Sequence, residues 1–107
     1  MALKLEAKTP ILIGEANINH IKEKHLDDFE KYGKNLKDII KYPTYLARNE
    51  KKNSIEYIKE YKEQNDFVLV AVRVSNKNVH FIRTMYVMDN VKVLKYRRHN
   101  YFIKYDT

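Results

Sequence analysis

Two of the four histidines, His20 and His25, lie five residues apart with Lys24 between them. Histidine is the side chain whose pKa lies closest to neutral pH, so both imidazoles are candidates for proton transfer. On a helix, with about 100° per residue, they would point roughly 140° apart, which is not the i, i+4 spacing of a helical metal pair. The spacing therefore favours phosphate contact or proton transfer over zinc binding, and we expect neither a metal nor another cofactor.

Each of these histidines also has an ordinary structural interpretation. His25 falls on the apolar side of the predicted helix, where a histidine is commonly hydrogen-bonded inside the core. His20 falls on the polar side, where a solvated surface residue is the simpler interpretation. Neither histidine alone identifies a catalytic site.

Further polar candidates lie on two predicted strands. Arg73 ends an apolar run, where a guanidinium needs an anion or a carboxylate, and the structural alternative is a salt bridge to Glu56 or Glu60. Strict alternation in the next strand places on one face His80, Ile82, Thr84 and Tyr86. The other face then carries Phe81, Arg83 and Met85. We expect Thr84 and Tyr86 to project together, although both residue types are also common strand formers.

This set of side chains suits RNA cleavage without a metal. A base removes the 2′-hydroxyl proton, the oxygen attacks the adjacent phosphorus, an acid protonates the departing 5′-oxygen, and cations stabilise the added negative charge. Only RNA carries the 2′-hydroxyl that this route requires. The sequence offers titratable groups, fixed cations and hydroxyls, but no evident carboxylate cluster for Mg²⁺.

The positive charge of the chain is concentrated in its second part. The formal net charge is +7 over 107 residues, yet residues 1–66 carry 13 basic and 12 acidic side chains, whereas residues 67–107 carry 8 and 2. A basic excess among Tyr, Phe and His is typical of surfaces that meet phosphates. The candidates for phosphate or RNA binding in this part are Lys92, Lys95, Arg97 and Arg98.

Composition excludes several classes of protein. Without cysteine there are no disulfides, thiolate nucleophiles or cysteine-based zinc sites. No run of 18 apolar residues exists, which excludes a spanning helix, and the polar residues 1–8 lack the apolar run of a signal peptide. The length fits one domain over residues 1–107, with no contact to a membrane expected.

The elements that must position these residues begin with helices. Apolar residues recur at three- and four-residue steps over residues 18–32, which predicts one helix face that contains His25 and ends at Gly33. In the alternative, Asp27–Asp28 cap a second helix and leave His25 at the end of the first. A short helix is predicted over residues 35–40.

Strands dominate the rest of the chain. The clearest are residues 67–74 and 79–87, which predict a hairpin joined by a polar turn. The first run is apolar on both faces, so it belongs mid-sheet with helices over one side. Residues 45–49 alternate, while residues 55–61 and 91–98 fit a strand or a helix. The predicted fold class is α+β, with N-terminal helices packed on an antiparallel sheet.

Several segments, taken in order, are familiar from one group of proteins. They are Asn17–His25, Phe29–Gly33, Ile39–Pro43, Ser54–Tyr61, and the hairpin from Val70–Ser75 into Arg83–Tyr86. Together they resemble the phage-type branch of the barnase/EndoU/colicin/RelE-like nucleases, over about residues 11 to 90. Leu26 follows His25 where many relatives have proline, which leaves the helix break at this point open.

The resemblance implies a metal-independent ribonuclease fold. It consists of N-terminal helices packed on a four- or five-stranded antiparallel sheet, with the site on the open face of the sheet. Carried over by the resemblance, His25 is the leading general acid or base and His20 is the second. Phosphate is then expected at Lys24 and Arg73, and the reacting oxygens at Thr84 and Tyr86.

The function that the resemblance implies is that of an RNA endonuclease toxin that leaves a cyclic phosphate, with tRNA a substrate at family level. Such domains often form the C-terminal toxic tips of secreted or phage-borne proteins, act in the cytoplasm, and are blocked by a cognate immunity or antitoxin protein. The alternative is a non-catalytic nucleic-acid-binding or phage-structural module, in which the basic residues only hold phosphates.

Overall fold

The computed structural model of the chain describes residues 11–74 and 79–105. The predicted polar turn, residues 75–78, lies outside the described residues. The helices are α1 (Glu15–Lys24), α2 (Leu26–Tyr32), a 3₁₀ turn (Gly33–Asn35), α3 (Leu36–Lys41) and α4 (Asn90–Arg98). The strands are β1 (Ile11–Leu12), β2 (Tyr45–Asn49), β3 (Ser54–Tyr61), β4 (Asp66–Arg73), β5 (His80–Val87) and β6 (Ile103–Lys104). No described helix has the length and apolar character needed to cross a membrane.

The strands form one sheet in the order β1-β5-β4-β3-β2-β6. The α+β class is therefore confirmed, but the sheet has six strands rather than four or five, and it is mixed. The difference comes from its edges, where two-residue strands join the four long ones. Strand β1 pairs parallel with β5, and β6 pairs antiparallel with β2. Pairings this short leave no periodicity for sequence reasoning to detect.

The helical half follows the second of the two alternatives. Helix α1 ends at Lys24, and His25 leaves the helical region with φ −140° and ψ 46° before α2 begins. The break explains why Asp27 and Asp28 fall in the first turn of α2, where carboxylates complement the helix dipole. Helix α2 ends before Gly33, as predicted, although the chain continues there as a 3₁₀ turn.

The ambiguous segment at residues 91–98 is helix α4. The Asp89 carboxylate caps its first turn by accepting from the Lys92 backbone N–H at 2.7 Å. The other ambiguous segment, residues 55–61, is strand β3, because it pairs along its whole length with β4 and over residues 54–58 with β2. A cap in one segment and strand pairing in the other thus decide between helix and strand, which the local sequence pattern did not.

Both faces of the sheet carry a core. Val68, Val70 and Val72 of β4 point to one face, where α1, α2 and α3 pack, while Leu69 and Ala71 point to the other, where α4 packs. Strand β4 lies mid-sheet, as predicted. The expectation that helices cover only one side was incomplete, since α4 covers part of the second face.

A β-bulge in β5 corrects the predicted alternation of that strand. Ala71 pairs with Thr84 but Val72 pairs with Ile82, so Arg83 is an extra residue with no partner in β4. Ile82 therefore lies on the α1–α3 face with Met85, whereas Thr84 and Tyr86 lie on the α4 face. Thr84 and Tyr86 share a face as predicted, but Ile82 does not join them.

Helix α2 is tied to the ends of two neighbouring strands. The Tyr32 hydroxyl and the Lys31 ammonium both donate to the Asp66 carboxylate, at 2.5 and 2.9 Å. These two donors, Tyr32 foremost, hold the pKa of Asp66 below its usual value. The Asp28 carboxylate accepts from the backbone N–H of Val87 at the end of β5. These bonds fix the break at His25 relative to the sheet.

Candidate active site

A cleft of about 520 Å³ opens on the α4 face of the sheet. The N-terminal helices form one wall, β3 and β5 form the floor, and α4 forms the other wall. Its lining residues come from five parts of the chain: His20, His25, Asn49, Lys52, Glu56, Arg83, Thr84, Tyr86, Val87, Asp89, Lys92 and Tyr96. Four of the five residues predicted to be catalytic are among them, as is the predicted phosphate-binding Lys92.

His20 and His25 line the same cleft because α1 ends at Lys24 and α2 begins at Leu26, which leaves His25 in the junction. On an unbroken helix the two side chains would diverge, but His25 lies in the junction after α1. His25 is half-buried and its ring lies 5.2 Å from the ring of Tyr86, tilted by 31°. His20 is exposed at the rim. His25 is therefore not sealed in the core, which was its structural alternative.

Lys92 and Tyr86 contact each other in the cleft through a hydrogen bond and a cation–π interaction. The Lys92 ammonium donates a short hydrogen bond to the Tyr86 hydroxyl and lies 4.6 Å from the centroid of its ring. Lys92 stands in the first turn of α4, so the cap at Asp89 fixes the position of its backbone. The ammonium is thus held where it can contact an anion bound against Tyr86.

A buried carboxylate lies at the back of the cleft. Glu56 of β3 is only 4% exposed, and its Oε1 accepts from the Tyr96 hydroxyl at 2.6 Å. Burial and this bond to Glu56 raise the pKa of Tyr96 well above its ordinary value, so Tyr96 remains a donor throughout the neutral range. Sequence reasoning considered Glu56 only as a partner for Arg73. A signal was present, since Glu56 is an acidic residue in the first, apolar half of β3, where a carboxylate must find a partner.

The bulge places Arg83 and Thr84 together in the cleft. Consecutive residues on a regular strand point to opposite faces, yet both line this site because Arg83 is the extra residue. The Arg83 Nε and the Thr84 Oγ1 are buried without a hydrogen-bond partner among the described residues. Buried polar atoms are nearly always paired, so two unpartnered ones facing a cleft indicate a place for a polar ligand.

The remaining predicted residues lie outside this cleft. Arg73 is exposed at the end of β4; alternation puts it on the same face as Ala71, but it does not line the cleft. The described residues contain no ion pair of Arg73 with Glu56 or Glu60. The guanidinium that lines the cleft is that of Arg83, ten residues later, which strict alternation of β5 had placed on the face opposite Thr84 and Tyr86.

Lys24 and the basic residues of α4 lie in different places, only some of them in the cleft or in the groove beside it. Lys24 is exposed and lies outside the cleft. Lys95 lines an adjoining groove. Arg97 lies over the Phe67 ring at 5.3 Å, and Arg98 lines a small apolar recess together with Lys95. The helical period of α4 turns Arg97 away from Lys92 and Lys95, so the cluster seen in the sequence is not one patch.

The cleft combines proton-transfer groups with cations and hydroxyls. Its lining contains two imidazoles, one guanidinium, two ammonium groups, three hydroxyl groups and two carboxylates. Such a site can bind a phosphate, stabilise added negative charge on it and move protons at either side. Within the described ranges, no group of three or more His, Asp or Glu residues is placed to hold a metal ion.

Comparison with known proteins identifies one family. The family model described as phage-Barnase-EndoU-ColicinE5/D-RelE like nuclease 3 matches residues 1–95. No curated protein and no solved structure matches the chain significantly. The matched residues include every element that contributes to the cleft except the last turn of α4.

Proposed function

The chain belongs to the phage-Barnase-EndoU-ColicinE5/D-RelE like nuclease 3 family, and from this premise we propose that it is a metal-independent endoribonuclease. The observation that carries the proposal is the cleft in which His20 and His25 face Arg83, Lys92, Thr84 and Tyr86. These are the groups that cleavage through the 2′-hydroxyl of RNA requires.

The proposed reaction is a transesterification at phosphorus. One imidazole accepts the proton of the 2′-hydroxyl, and the 2′-oxygen forms a bond to the adjacent phosphorus. The bond from phosphorus to the 5′-oxygen breaks, and this oxygen leaves with a proton from the second imidazole. The products are a 2′,3′-cyclic phosphate and a 5′-hydroxyl. His25, packed against Tyr86, is the leading residue for one of these transfers, and His20 is the candidate for the other.

Residues of β5 and α4 would stabilise the negative charge that develops on the phosphate. Arg83 and Lys92 would contact the non-bridging phosphate oxygens, with charge-assisted hydrogen bonds stronger than neutral ones. The Thr84 hydroxyl, which has no partner among the described residues, would donate to the same phosphate. Tyr86 would orient the reacting oxygens while Lys92 holds its hydroxyl. Arg73 and Lys24 would at most contact more distant phosphates.

We also propose a toxin role in the cytoplasm, which membership of a nuclease-like family supports. A nuclease of this kind acts where RNA is found, and we propose delivery as part of a secreted or phage-borne protein. A cognate immunity or antitoxin protein would then cover the cleft in the producing cell. The RNA cleaved, including tRNA, is to be found by experiment.

The test is cleavage of total RNA by the purified chain in the presence of EDTA. We expect fragments that end in 2′,3′-cyclic phosphates. The variant His25→Ala should lower the rate by about 10²–10⁴, the usual contribution of a general acid or base. Asn19→Ala, an exposed change on the same helix that does not line the cleft, serves as the matched control and should cleave at the wild-type rate.

Three results would overturn the proposal in different ways. Intact RNA with the wild-type chain contradicts nuclease activity, and salt-dependent binding of that RNA would indicate the non-catalytic binding module. Cleavage abolished by EDTA and restored by Mg²⁺ contradicts metal independence. Wild-type cleavage by His25→Ala contradicts the role of this histidine.

A further inference from the structure

We propose that a second groove, beside the cleft, binds a further nucleotide of a single-stranded substrate, with Tyr101 stacking on its base. The inference rests on the proposed function, because it assigns the second site to the same strand that is cut in the first. It defines the substrate class as unpaired RNA that extends at least one nucleotide beyond the scissile phosphate.

The groove is continuous with the cleft. It has a volume of about 600 Å³ and shares Asn49, Glu56, Lys92 and Tyr96 with the first cavity. Each cavity lies within the roughly 300–1,000 Å³ typical of sites for drug-sized ligands. A strand whose phosphate lies at Arg83 and Lys92 can therefore continue past Tyr96 into the groove without leaving the protein surface.

The end of helix α4 places an aromatic ring in this groove. Asn100 adopts a left-handed conformation with φ 56°, the Asn100 N–H donates to the Arg97 carbonyl, and the Tyr101 N–H donates to the Tyr96 carbonyl. This is the Schellman pattern that closes a helix and turns the chain back along it. The backbone of Tyr101 is therefore fixed, not left to a mobile tail.

The Tyr101 ring is partly packed and partly free. Its ring stacks on His99 at 5.3 Å with an angle of 21° and meets the Tyr96 ring edge-on at 5.4 Å and 88°. Even so, Tyr101 is 45% exposed and lines the groove. An aromatic side chain held in place beside a basic channel is the usual platform for an unpaired base, because every base has a π-face to stack.

Basic side chains surround this ring. Arg48, Lys51 and Lys95 line the groove together with Lys92, against the acidic Glu50 and Glu56. Glu56 is engaged by the Tyr96 hydroxyl, so the exposed charges of the groove are mainly positive. A positive channel that tracks the phosphates and a ring that stacks the base are the two components of sequence-tolerant binding to single strands.

Sequence reasoning did not single out Tyr101. It lies beyond residue 95, where the family match ends, so family membership does not assign this residue a role. The predicted phosphate-binding residue Lys95 acquires a specific place, since it lies in the groove and not in the cleft.

The experiment compares binding and cleavage with substrates of increasing length. Binding is measured with uncleavable 2′-O-methyl oligouridylates of two, four and six nucleotides, and cleavage with the matching oligouridylates. We expect the wild-type chain to gain affinity between two and four nucleotides. Tyr101→Leu should lose about tenfold in affinity for the longer probes and little for the dinucleotide, whereas Tyr101→Phe should keep the gain.

Tyr42→Leu is the matched control, since Tyr42 is also half-exposed but lines neither cavity. Thermal unfolding verifies that each variant is folded; if Tyr101→Leu is not, Lys95→Ala, which changes a residue that lines the groove but not the cleft, tests the subsite by the same loss of affinity for the longer probes. The subsite is wrong if Tyr101→Leu binds the long probes as the wild type does, or if Tyr42→Leu loses the same affinity. Binding that strengthens with probe length and depends on Tyr101, without any RNA cleavage, would support the subsite and overturn the proposed function. RNA cleavage with binding that does not depend on Tyr101 would support the proposed function and overturn the subsite.

Discussion

At the scale of single residues, two polar atoms of the candidate site have no hydrogen-bond partner among the described residues. The Thr84 Oγ1, on a residue 8% exposed, is one of them and the Arg83 Nε is the other. The Tyr57 and Tyr61 hydroxyls and the His80 Nδ1 are also buried without a partner, and these residues do not line the cleft. Burying such a group without a hydrogen bond costs about 1–3 kcal/mol. What sets Thr84 and Arg83 apart is that they line the cleft beside two histidines.

The variant Thr84→Val tests this interpretation of the hydroxyl. Valine has the same shape but no hydroxyl, so the free energy of unfolding should stay constant or rise by up to about 1 kcal/mol, while RNA cleavage falls about tenfold. Urea unfolding and initial cleavage rates measure the two effects. Thr84→Ser, which keeps the hydroxyl, should retain cleavage. A clear loss of stability in Thr84→Val would mean that the hydroxyl is bonded in the folded protein.

At the scale of elements, two irregularities create the site: the break between α1 and α2 and the bulge in β5. The break turns His25 towards the cleft. The bulge moves Thr84 and Tyr86 from the helix-covered face to the cleft face and adds Arg83 beside them. Without the bulge, alternation from Ile82 would leave Arg83 on the cleft face but would turn Thr84 and Tyr86 away from the two histidines.

Two changes at Arg83 test the guanidinium and the register separately. Arg83→Ala keeps the bulge, so we expect near-wild-type stability and cleavage reduced about 10²-fold, the scale of losing one stabilising donor. Deletion of Arg83 leaves Ile82 opposite Val72 and Thr84 opposite Ala71, so the pairing becomes regular and the other side chains of β5 keep their faces. Urea unfolding should then give the two variants free energies of unfolding within about 1 kcal/mol of each other. A deletion variant much less stable than Arg83→Ala would contradict the assigned register.

The elements also show what sequence could predict. The β4–β5 pairing, the short helix before β2 and the α+β class followed from periodicity, because long runs with a clear period need no knowledge of their partners. The bulge could not be found this way, since one extra residue leaves no mark on composition, and its neglect put Arg83 on the face opposite Thr84 and Tyr86. Residues 91–98 were ambiguous because the Asp89 cap and the packing of Val93 and Tyr96 decide the helix.

At the scale of the whole molecule, the charge of the second part of the chain is divided among several surfaces. Lys92 and Lys95 face the continuous cleft and groove. Arg97 lies over Phe67 and Arg98 beside the exposed Val91 and Leu94. Net charge indicated the class of partner, but only the folded arrangement separates the cations that line a path from those that do not.

The salt dependence of RNA binding shows which of these basic residues contact phosphates. Each phosphate contact that is lost lowers the slope of log affinity against log salt by about 0.7 for a single strand. We expect Lys95→Ala to show this change with a six-nucleotide 2′-O-methyl oligonucleotide, and Arg98→Ala to leave the slope closer to the wild-type value. A larger effect of Arg98 would move the binding path from the groove to the recess that Lys95 and Arg98 both line.

The segments that line the cleft lie far apart in the sequence, so they are translated at different times. The histidines of α1 and its junction and Glu56 of β3 leave the ribosome first, whereas Tyr96, which closes the wall and bonds to Glu56, follows 40 residues later. At about 5–20 residues per second, that interval lasts roughly 2–8 s. During it the nascent chain carries both imidazoles but neither Lys92 nor Tyr96 to complete the cleft. The cleft is complete only after α4 has been translated, so if the chain cleaves RNA as proposed, we expect no cleavage by the nascent chain before that point.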